Sequence, residues 1–300
     1  MRIHGICPPV TTPFTAEGDV DEATFREDIR FMVEDAGVHG VAVGGSTGEG
    51  HVLSTDELRT LVGAAVEVAA GRIPVIAGVI VDSTWLAIER GRVLADLDVA
   101  ALQVTPVHYG FRPGDDGTQA FFSDIIDGTG TPVLIYNVVQ WNYLDVALLG
   151  RIMREVEGVI GVKQSAGDFK LMADAILELP EESIIMSAVD ALMYPSLALG
   201  ADGAIAAMLS LTPASYVEMW DALKSDDHER ARELHHMLLP IFNALEASDD
   251  GGRNMPAAVK YAMERQGRRA GHPRAPMSPP GPGQRGLLDR ALAGANLVDG

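Results

Sequence analysis

Residues 158–168 read GVIGVKQSAGD and define the unit from which the fold is built. The run Val159–Lys163 is apolar up to its last residue, which is typical of a parallel β-strand covered on both faces. Asp168 follows a short polar turn and is a residue type that often caps the first turn of a helix. The stretch therefore predicts a strand, a loop and the beginning of a helix.

The same strand–loop–helix unit recurs along the chain. Eight strands are predicted: Ile3–Pro8, Gly40–Val43, Pro74–Ile80, Ala100–Val104, Pro132–Tyr136, Val159–Lys163, Ser183–Ser187 and Gly203–Ala206. Helical patterns lie between them, among them Asp21–Asp35, Thr55–Ala70, Ser83–Leu97, Asp145–Glu155 and Asp168–Leu179. Eight successive units favour an α/β protein with a closed (β/α)8 TIM barrel over an open doubly wound sheet, which usually has fewer strands.

The chain becomes wholly helical after the eighth strand. Three helices are predicted, at Thr212–Lys224, Asp227–Leu245 and Met255–Gln266. A stretch rich in proline, glycine and arginine at 267–286 is predicted to be a surface linker, followed by a short terminal helix at Leu287–Leu297. We therefore expect a catalytic barrel over residues 1–224 and a C-terminal helical extension over residues 225–300.

Composition excludes several classes of function. The 300-residue chain is 47% hydrophobic and 22% charged, as in globular proteins. Its formal charge of −19 argues against nucleic acid or an anionic membrane as a partner, since both attract basic surfaces. The single cysteine, Cys7, fits a reducing compartment, and the opening residues lack the layout of a signal peptide. We expect a cytoplasmic protein with no membrane span, and the histidine spacing implies no metal.

Polar residues follow several predicted strands, at the end where (β/α)8 enzymes carry their reacting groups. Lys163 ends strand six. A lysine in a low-dielectric pocket has a lowered pKa and can attack a carbonyl carbon, whereas a lysine at a strand end can equally extend into water. Tyr136 ends strand five beside it, where its hydroxyl could move protons or simply be hydrogen bonded. Residue type and position leave both alternatives open.

A glycine-rich loop, VGGSTGEGH at residues 43–51, follows strand two. Closely spaced glycines let backbone N–H groups approach a small anion such as a carboxylate, and Ser46 and Thr47 add two hydroxyls. The loop is not a Walker loop, because no GK[ST] sequence follows. It is either an anion-binding loop or an ordinary strand-to-helix turn, in which Glu49 would accept hydrogen bonds from nearby loop backbone.

Three motifs together carry a family resemblance: GGSTGE in the second loop, Tyr136-Asn137 after strand five and GVKQS on strand six. In this combination the chain resembles the dihydrodipicolinate synthase / N-acetylneuraminate lyase family of class I aldolases, from its opening residues to the helical C-terminal region. The resemblance implies a (β/α)8 barrel with a helical C-terminal extension, assembled as a homotetramer. It also implies a Schiff base between Lys163 and the keto group of pyruvate or a related 2-oxo acid, and no cofactor.

The resemblance implies roles for individual residues. Tyr136 would move protons and touch the substrate carboxylate, which Ser46 and Thr47 would hold. Tyr109 would complete a proton relay across a subunit interface, a part that His108 could take instead. The implied positions are Lys163, Tyr136 and Thr47 for catalysis, and Ser46, Gly45, Ile205, Trp141, Asp190 and Tyr109 for substrate binding.

Departures from the family pattern bear on the substrate. The dihydrodipicolinate synthases carry an arginine five residues after the tyrosine, which grips the carboxylate of the aldehyde partner; here that position is Trp141, which has no charge. Their usual proline three residues after the tyrosine is Val139. The sugar-binding pair of the neuraminate lyases is reduced to Asp190 followed by Ala191, and their serine at strand eight is Ala207. An apolar distal pocket is predicted, formed by Trp141, Tyr143, Ala191, Ala207 and Met208.

We therefore predict a Schiff-base-dependent lyase or aldolase that acts on a 2-oxo acid, with pyruvate as donor or product. It would be neither a typical lysine-biosynthesis enzyme nor a sialic-acid enzyme. The alternatives are a dehydratase of a deoxy-oxo sugar acid with the same imine chemistry, a 4-hydroxy-tetrahydrodipicolinate synthase, and a catalytically silent barrel that binds a 2-oxo acid. A phosphate-binding barrel is disfavoured, because AAMLSLTPAS after strand eight lacks a glycine-rich turn.

Overall fold

The strands form a parallel barrel. The computed structural model describes residues 1–249, 251–252 and 254–298. Its strands are β1 (Gly5–Ile6), β2 (Val41–Val43), β3 (Val75–Val79), β4 (Ala101–Val104), β5 (Val133–Asn137), β6 (Val159–Gln164), β7 (Ile184–Ser187) and β8 (Gly203–Ala204). They pair in parallel in the order β1-β8-β7-β6-β5-β4-β3-β2, and a parallel bridge between Pro9 and Ala42 joins the two ends of the sheet. The predicted (β/α)8 barrel is confirmed.

Helices fill the connections and continue beyond the barrel. They are α1 (Glu22–Glu34), α2 (Thr55–Ala69), α3 (Thr84–Arg92), α4 (Asp115–Thr129), α5 (Val146–Glu155), α6 (Phe169–Glu178), α7 (Met193–Leu199), α8 (Met208–Leu211), α9 (Pro213–Lys224), α10 (His228–Glu246), α11 (Met255–Arg265) and α12 (Pro282–Gly294). Short 3-10 turns follow β2, β5 and β7 at Gly50–Val52, Gln140–Asn142 and Asp190–Leu192. The cap expected at Asp168 is present, since Asp168 accepts a hydrogen bond from the backbone N–H of Lys170, and Ser54 forms a capping box with Glu57 at the start of α2.

Side chains of the strands alternate between the inside of the barrel and the helix layer. Leu134 of β5 packs inside the barrel with Ile205, whereas Ile135 packs against the helices. By the same alternation Tyr136 points into the barrel at the carboxyl end of its strand. Its register partner on β6 is Lys163. The fold therefore brings these two side chains together at the barrel mouth.

The C-terminal helices are attached to the barrel by a second buried cluster. Ile6 of β1 belongs to it, together with Tyr216 of α9, Leu238 of α10 and Leu288 of α12. Burial of such apolar side chains is the main contribution to this contact. Within the described ranges, no helix has both the length and the apolar character that a membrane crossing requires.

Several element ends differ from the predicted ones. Most shift by a residue or two, but α3 ends at Arg92 instead of Leu97, because the following N–H groups turn back to carbonyls three residues earlier. The last helix, α12, begins at Pro282 instead of Leu287. Proline is well suited to the first turn of a helix, since its missing N–H has no helical partner there.

The stretch at 267–286 is largely exposed and irregular up to Gly281, as expected of a surface linker, but it is tied to the barrel at several points. Ala270 is 1% exposed. Arg268 forms an ion pair with the buried Asp28 of α1, and Arg274 forms a partly exposed one with Glu57 at the start of α2. The arginines contact carboxylates far away in sequence, which composition alone does not reveal, and the end of the stretch is the first turn of α12.

Candidate active site

Lys163 lies inside the barrel at the carboxyl end of β6. It is only 3% exposed, so it does not extend into water as a strand-end lysine can. Its Nζ atom lies 3.7 Å from the centroid of the Tyr136 ring on the neighbouring strand β5. Of the two alternatives that the sequence left open, the structure has the buried amine.

Burial governs the protonation of Lys163. Removal of the ammonium from water lowers the pKa of Lys163, while Tyr136 and the Asp190 carboxylate oppose that shift. A lowered pKa leaves a larger share of the amine neutral near pH 7. The neutral amine is the form that attacks a carbonyl carbon.

Asp190 is a buried carboxyl group whose charge interacts with Lys163. It follows β7 and accepts a hydrogen bond from the backbone N–H of Met208, 3.0 Å away, so it joins the loops after β7 and β8. Burial raises the pKa of Asp190 to about 7, although backbone hydrogen bonds and the charge of Lys163 oppose the change. Asp190 therefore titrates near neutral pH.

The titration of Asp190 predicts a pH-dependent loss of stability. Because its pKa is raised in the folded protein, its contribution is complete below about pH 4 and is lost as the pH rises toward 7. Asp190→Asn stays neutral and should lose less stability over this range, by up to about 4 kcal/mol, since each tenfold change in proton affinity is worth about 1.4 kcal/mol. Denaturant unfolding of both proteins between about pH 4 and pH 8 measures this, and parallel curves would contradict it.

The glycine-rich loop after β2 reaches Tyr136 through Ser46. The Ser46 Oγ atom and the Tyr136 hydroxyl oxygen lie 3.1 Å apart. The loop folds tightly because it contains glycines: a Cβ on Gly50 would lie 1.8 Å from the carbonyl oxygen of Gly44, which itself has φ of +72°. Thr47 is buried beside Ser46. Two hydroxyls and closely packed backbone therefore lie at the barrel mouth.

A cavity of about 620 Å³ opens over this end of the barrel. Ser46 of the glycine-rich loop and Thr105 after β4 contribute hydroxyl groups to its lining. The apolar part of the lining is formed by Ile80, Val138, Val139, Trp141, Leu245, Met255, Pro256 and Met277. Some of these residues belong to α10 and α11, so the C-terminal helices form one wall of the cavity.

Eight of the sixteen residues that line the cavity are apolar, and the polar ones include His51, Gln140, Glu246 and Asn254. Lys163 and Tyr136 are not among the lining residues, and of the predicted apolar pocket only Trp141 is. Trp141 lines it from the 3-10 turn after β5. Tyr143 instead donates its hydroxyl to a backbone carbonyl after β6, and Met208 is buried among the C-terminal helices with Ala207 against it. Ala191 lies in the 3-10 turn after β7. Side chains from α10 and α11 take their place, which strand patterns do not indicate.

Tyr109 stands apart from the cavity within one chain. It is 74% exposed, and its backbone N–H donates to Asp82 at 2.7 Å. His108 does line the cavity, with its Nε2 atom 3.1 Å from the Asp82 carboxylate. A contribution of Tyr109 to a neighbouring subunit's site stays a prediction.

The whole chain matches known proteins. The sequence profile of the dihydrodipicolinate synthetase family covers residues 2–293. The chain belongs to this family. It is 35% identical over 301 aligned residues to 4-hydroxy-tetrahydrodipicolinate synthase of Methanopyrus kandleri, over 99% of this chain and 98% of that protein. Dihydrodipicolinate synthase from Aquifex aeolicus superposes with a TM-score of 0.91 at 28% identity, over 99% of this chain and 100% of the other. CdNal from Clostridium difficile, solved in complex with mannosamine, superposes with a TM-score of 0.88 at 25% identity, over 98% and 99%.

Members of the dihydrodipicolinate synthetase family are lyases and aldolases. The chain is accordingly a carbon–carbon lyase, and its barrel with C-terminal helices is the fold of the family. Family membership indicates the general chemistry of the reaction and not the particular substrate. The side chains around the cavity bear on which substrate the enzyme uses.

Two polar side chains of the barrel interior were missed from the sequence. Gln103 of β4 is fully buried, and a Cβ on Gly45 would lie 3.3 Å from its Nε2 atom. Among the described residues its amide atoms have no hydrogen-bond partner, and neither does the hydroxyl of Thr105. The signal was a glutamine within the apolar run of strand four. Ile205 is buried in the same interior and donates its backbone N–H to the Ser187 carbonyl.

Proposed function

We propose that this enzyme forms a Schiff base between Lys163 and a 2-oxo acid, and that pyruvate is the donor or product of the aldol step. The observation that carries the proposal is the buried contact of the Lys163 amine with the Tyr136 ring, 3.7 Å from its centroid. A buried amine of lowered pKa beside a phenol has the two groups that imine formation needs, a nucleophile and a proton donor.

The reaction can be written through these groups. The neutral amine of Lys163 attacks the keto carbon, and the resulting carbinolamine loses its hydroxyl as water after it receives a proton from Tyr136. In a 4-hydroxy-2-oxo acid bound in this way, the C4 hydroxyl loses its proton and the C3–C4 bond breaks. Its electron pair moves to the protonated imine, which becomes an enamine, and C4 leaves as the carbonyl carbon of an aldehyde. In the reverse direction the enamine carbon attacks the aldehyde.

The glycine-rich loop supplies the binding site for the carboxylate of the 2-oxo acid. Ser46 contacts the Tyr136 hydroxyl at 3.1 Å, and Thr47 lies next to it in the same turn. Hydroxyl and backbone N–H donors on this turn suit a carboxylate. A carboxylate held there is placed beside Tyr136, with the keto carbon toward Lys163.

The cavity favours an aldehyde partner with an apolar body. Trp141 is an uncharged side chain that lines the cavity, and the lining also includes Leu245, Met255 and Met277. Such a surface binds alkyl or aryl groups and offers no bidentate partner for a second carboxylate. The apolar part of the lining therefore supports an aldolase whose aldehyde is neither aspartate semialdehyde nor a polyhydroxylated sugar.

A second candidate function is 4-hydroxy-tetrahydrodipicolinate synthesis. It is favoured by the name of the relative from Methanopyrus kandleri, which is 35% identical to this chain. It requires that a carboxylate of the aldehyde be held in the cavity, where Trp141 lies. The two candidates share the Lys163 imine and differ only in the partner.

Substitution of Trp141 separates the two candidates. The enzyme should release pyruvate from 4-hydroxy-2-oxo acids that carry an alkyl or aryl group at C4, and should condense aspartate semialdehyde poorly. Trp141→Arg adds a carboxylate-binding fork and should shift the ratio of kcat/KM values toward aspartate semialdehyde by about 100-fold. A coupled assay for pyruvate release and consumption measures both activities.

Two control variants complete this experiment. Trp141→Phe keeps an apolar side chain and should keep the substrate preference. Leu177→Arg adds the same charge at an apolar side chain of α6 that is 80% exposed, outside the cavity lining, and should change neither activity. Turnover by the unaltered enzyme with aspartate semialdehyde or N-acetylneuraminate alone would disprove the apolar partner.

The expected assembly is a homotetramer. Three aromatic side chains after β3 and β4 support a contact surface: Trp85, Tyr109 and Phe111 are between 70% and 79% exposed. Exposed aromatic groups of this size are enriched at protein interfaces. The cytoplasmic location and the division at residue 224 stay predictions.

A further inference from the structure

A buried ion pair links the glycine-rich loop to the C-terminal helices. Glu49 lies at the end of that loop and Lys260 lies on α11, 211 residues later. Their side chains are only 3% and 2% exposed. Removal of two charges from water is costly, so a pair of this kind persists only when its hydrogen bonds are well satisfied.

The hydrogen bonds of this pair are satisfied by the C-terminal segment. Lys260 also donates to the carbonyl oxygen of His272 at 2.7 Å, and its Nζ atom lies 4.8 Å from the centroid of the Phe14 ring. The second oxygen of the Glu49 carboxylate accepts the backbone N–H of Arg274 at 3.1 Å. Although Glu49 is among the residues around the cavity, its carboxylate is thus occupied by protein donors.

The backbone of Glu49 closes the turn that carries Ser46 and Thr47. Its N–H donates to the Ser46 carbonyl at 3.1 Å, and the next N–H, that of Gly50, donates to Gly45 at 3.0 Å. Glu49 also has φ of +54°, a left-handed conformation that is unfavourable for a residue with a Cβ. The conformation persists because the surroundings fix it, and the most direct restraint is the anchored side chain.

We propose that Glu49 and Lys260 are positioning residues for the carboxylate-binding loop. The ion pair holds the turn at residues 44–50 in the one arrangement that places Ser46 against Tyr136 and its donors toward the 2-oxo acid carboxylate. The C-terminal helices therefore set the affinity of the barrel for its 2-oxo acid, besides forming a wall of the cavity. The inference rests on the proposed binding of that carboxylate to this loop.

Isosteric substitution tests the role of the pair. Glu49→Gln keeps the size and the acceptor for Arg274 but removes the charge that Lys260 needs. The KM for the 2-oxo acid, and the pyruvate concentration for half-maximal borohydride trapping, should both rise by about 10- to 100-fold, because small misplacements of binding groups are costly. The kcat at saturation should fall much less. Lys260→Met removes the other partner of the ion pair and should raise the KM by a similar factor. Lys260→Arg keeps the positive charge and should retain most of the affinity for the 2-oxo acid.

A matched pair elsewhere separates positioning from stability. Asp28 is also a buried carboxylate, paired with Arg268 of the same C-terminal segment, but it lies on α1. Asp28→Asn should lower the melting temperature as Glu49→Gln does and leave the KM unchanged. Equal KM values for Glu49→Gln and the unaltered enzyme, or equal increases in both carboxamide variants, would overturn the inference. Absence of trapping in the unaltered enzyme would instead disprove the proposed function.

Discussion

Replacement of Lys163 by methionine is expected to abolish turnover, with a loss of more than about 10⁴-fold in kcat. Methionine keeps the unbranched apolar stem and fills the buried position, so the barrel should remain folded. It has no amine, and the imine on which the later electron movement depends is then missing. Because Lys163 is 3% exposed, the variant should unfold at an equal or higher temperature, since a desolvated amine is removed.

Borohydride reduction makes the result visible without knowledge of the aldehyde. Incubation with pyruvate and borohydride should add one reduced pyruvyl group to the unaltered protein, and peptide mapping should place it on Lys163. Lys163→Met should take up none. Lys170→Met is the matched control, because Lys170 is exposed on α6 and pairs with Asp174, four residues later. An adduct that persists in Lys163→Met, or no adduct with any 2-oxo acid, would refute the proposed chemistry.

The sequence predicted the barrel well because each unit carries its own signals. Apolar runs and capping residues are local, and Asp168 caps α6 as its position before that helix indicated. The role of Lys163 was undecided at that level, because a lysine at a strand end has two plausible environments. Burial by the neighbouring strands decides between them, and burial is a property of the assembled barrel.

Contacts over long sequence distances were the part that could not be predicted. In the alternative of an ordinary turn, Glu49 would accept hydrogen bonds from nearby loop backbone. Its carboxylate instead accepts one from the backbone of Arg274, 225 residues away, and forms an ion pair with Lys260. The attachment of the 267–286 stretch to the barrel was missed for the same reason. Proline and glycine content indicates an absence of regular structure, and it contains no information on whether distant carboxylates pair with the intervening arginines.

Substitution of Tyr136 by phenylalanine should separate the contribution of its aromatic ring from that of its hydroxyl group. Tyr136→Phe keeps the ring, whose centroid lies 3.7 Å from the Lys163 amine, and removes the hydroxyl that contacts Ser46. Loss of a positioned proton donor should lower kcat by about 10²- to 10⁴-fold. The pyruvyl adduct should still form on Lys163, but its rate of formation should fall, because attack of the amine survives while departure of the hydroxyl is slowed.

This division between rate and final yield is what identifies Tyr136 as a proton donor. Ser46→Ala removes the partner of the hydroxyl and leaves the phenol in place, so its effect on kcat should be smaller than that of Tyr136→Phe. Tyr143→Phe is the matched control, because its hydroxyl donates to the Ser165 carbonyl at 3.4 Å, and kcat should be nearly unchanged. If Tyr136→Phe kept the kcat of the unaltered enzyme, the ring alone would matter, and the proton would have to come from another group at the barrel mouth, of which Asp190, with its pKa raised to about 7, is the first to test.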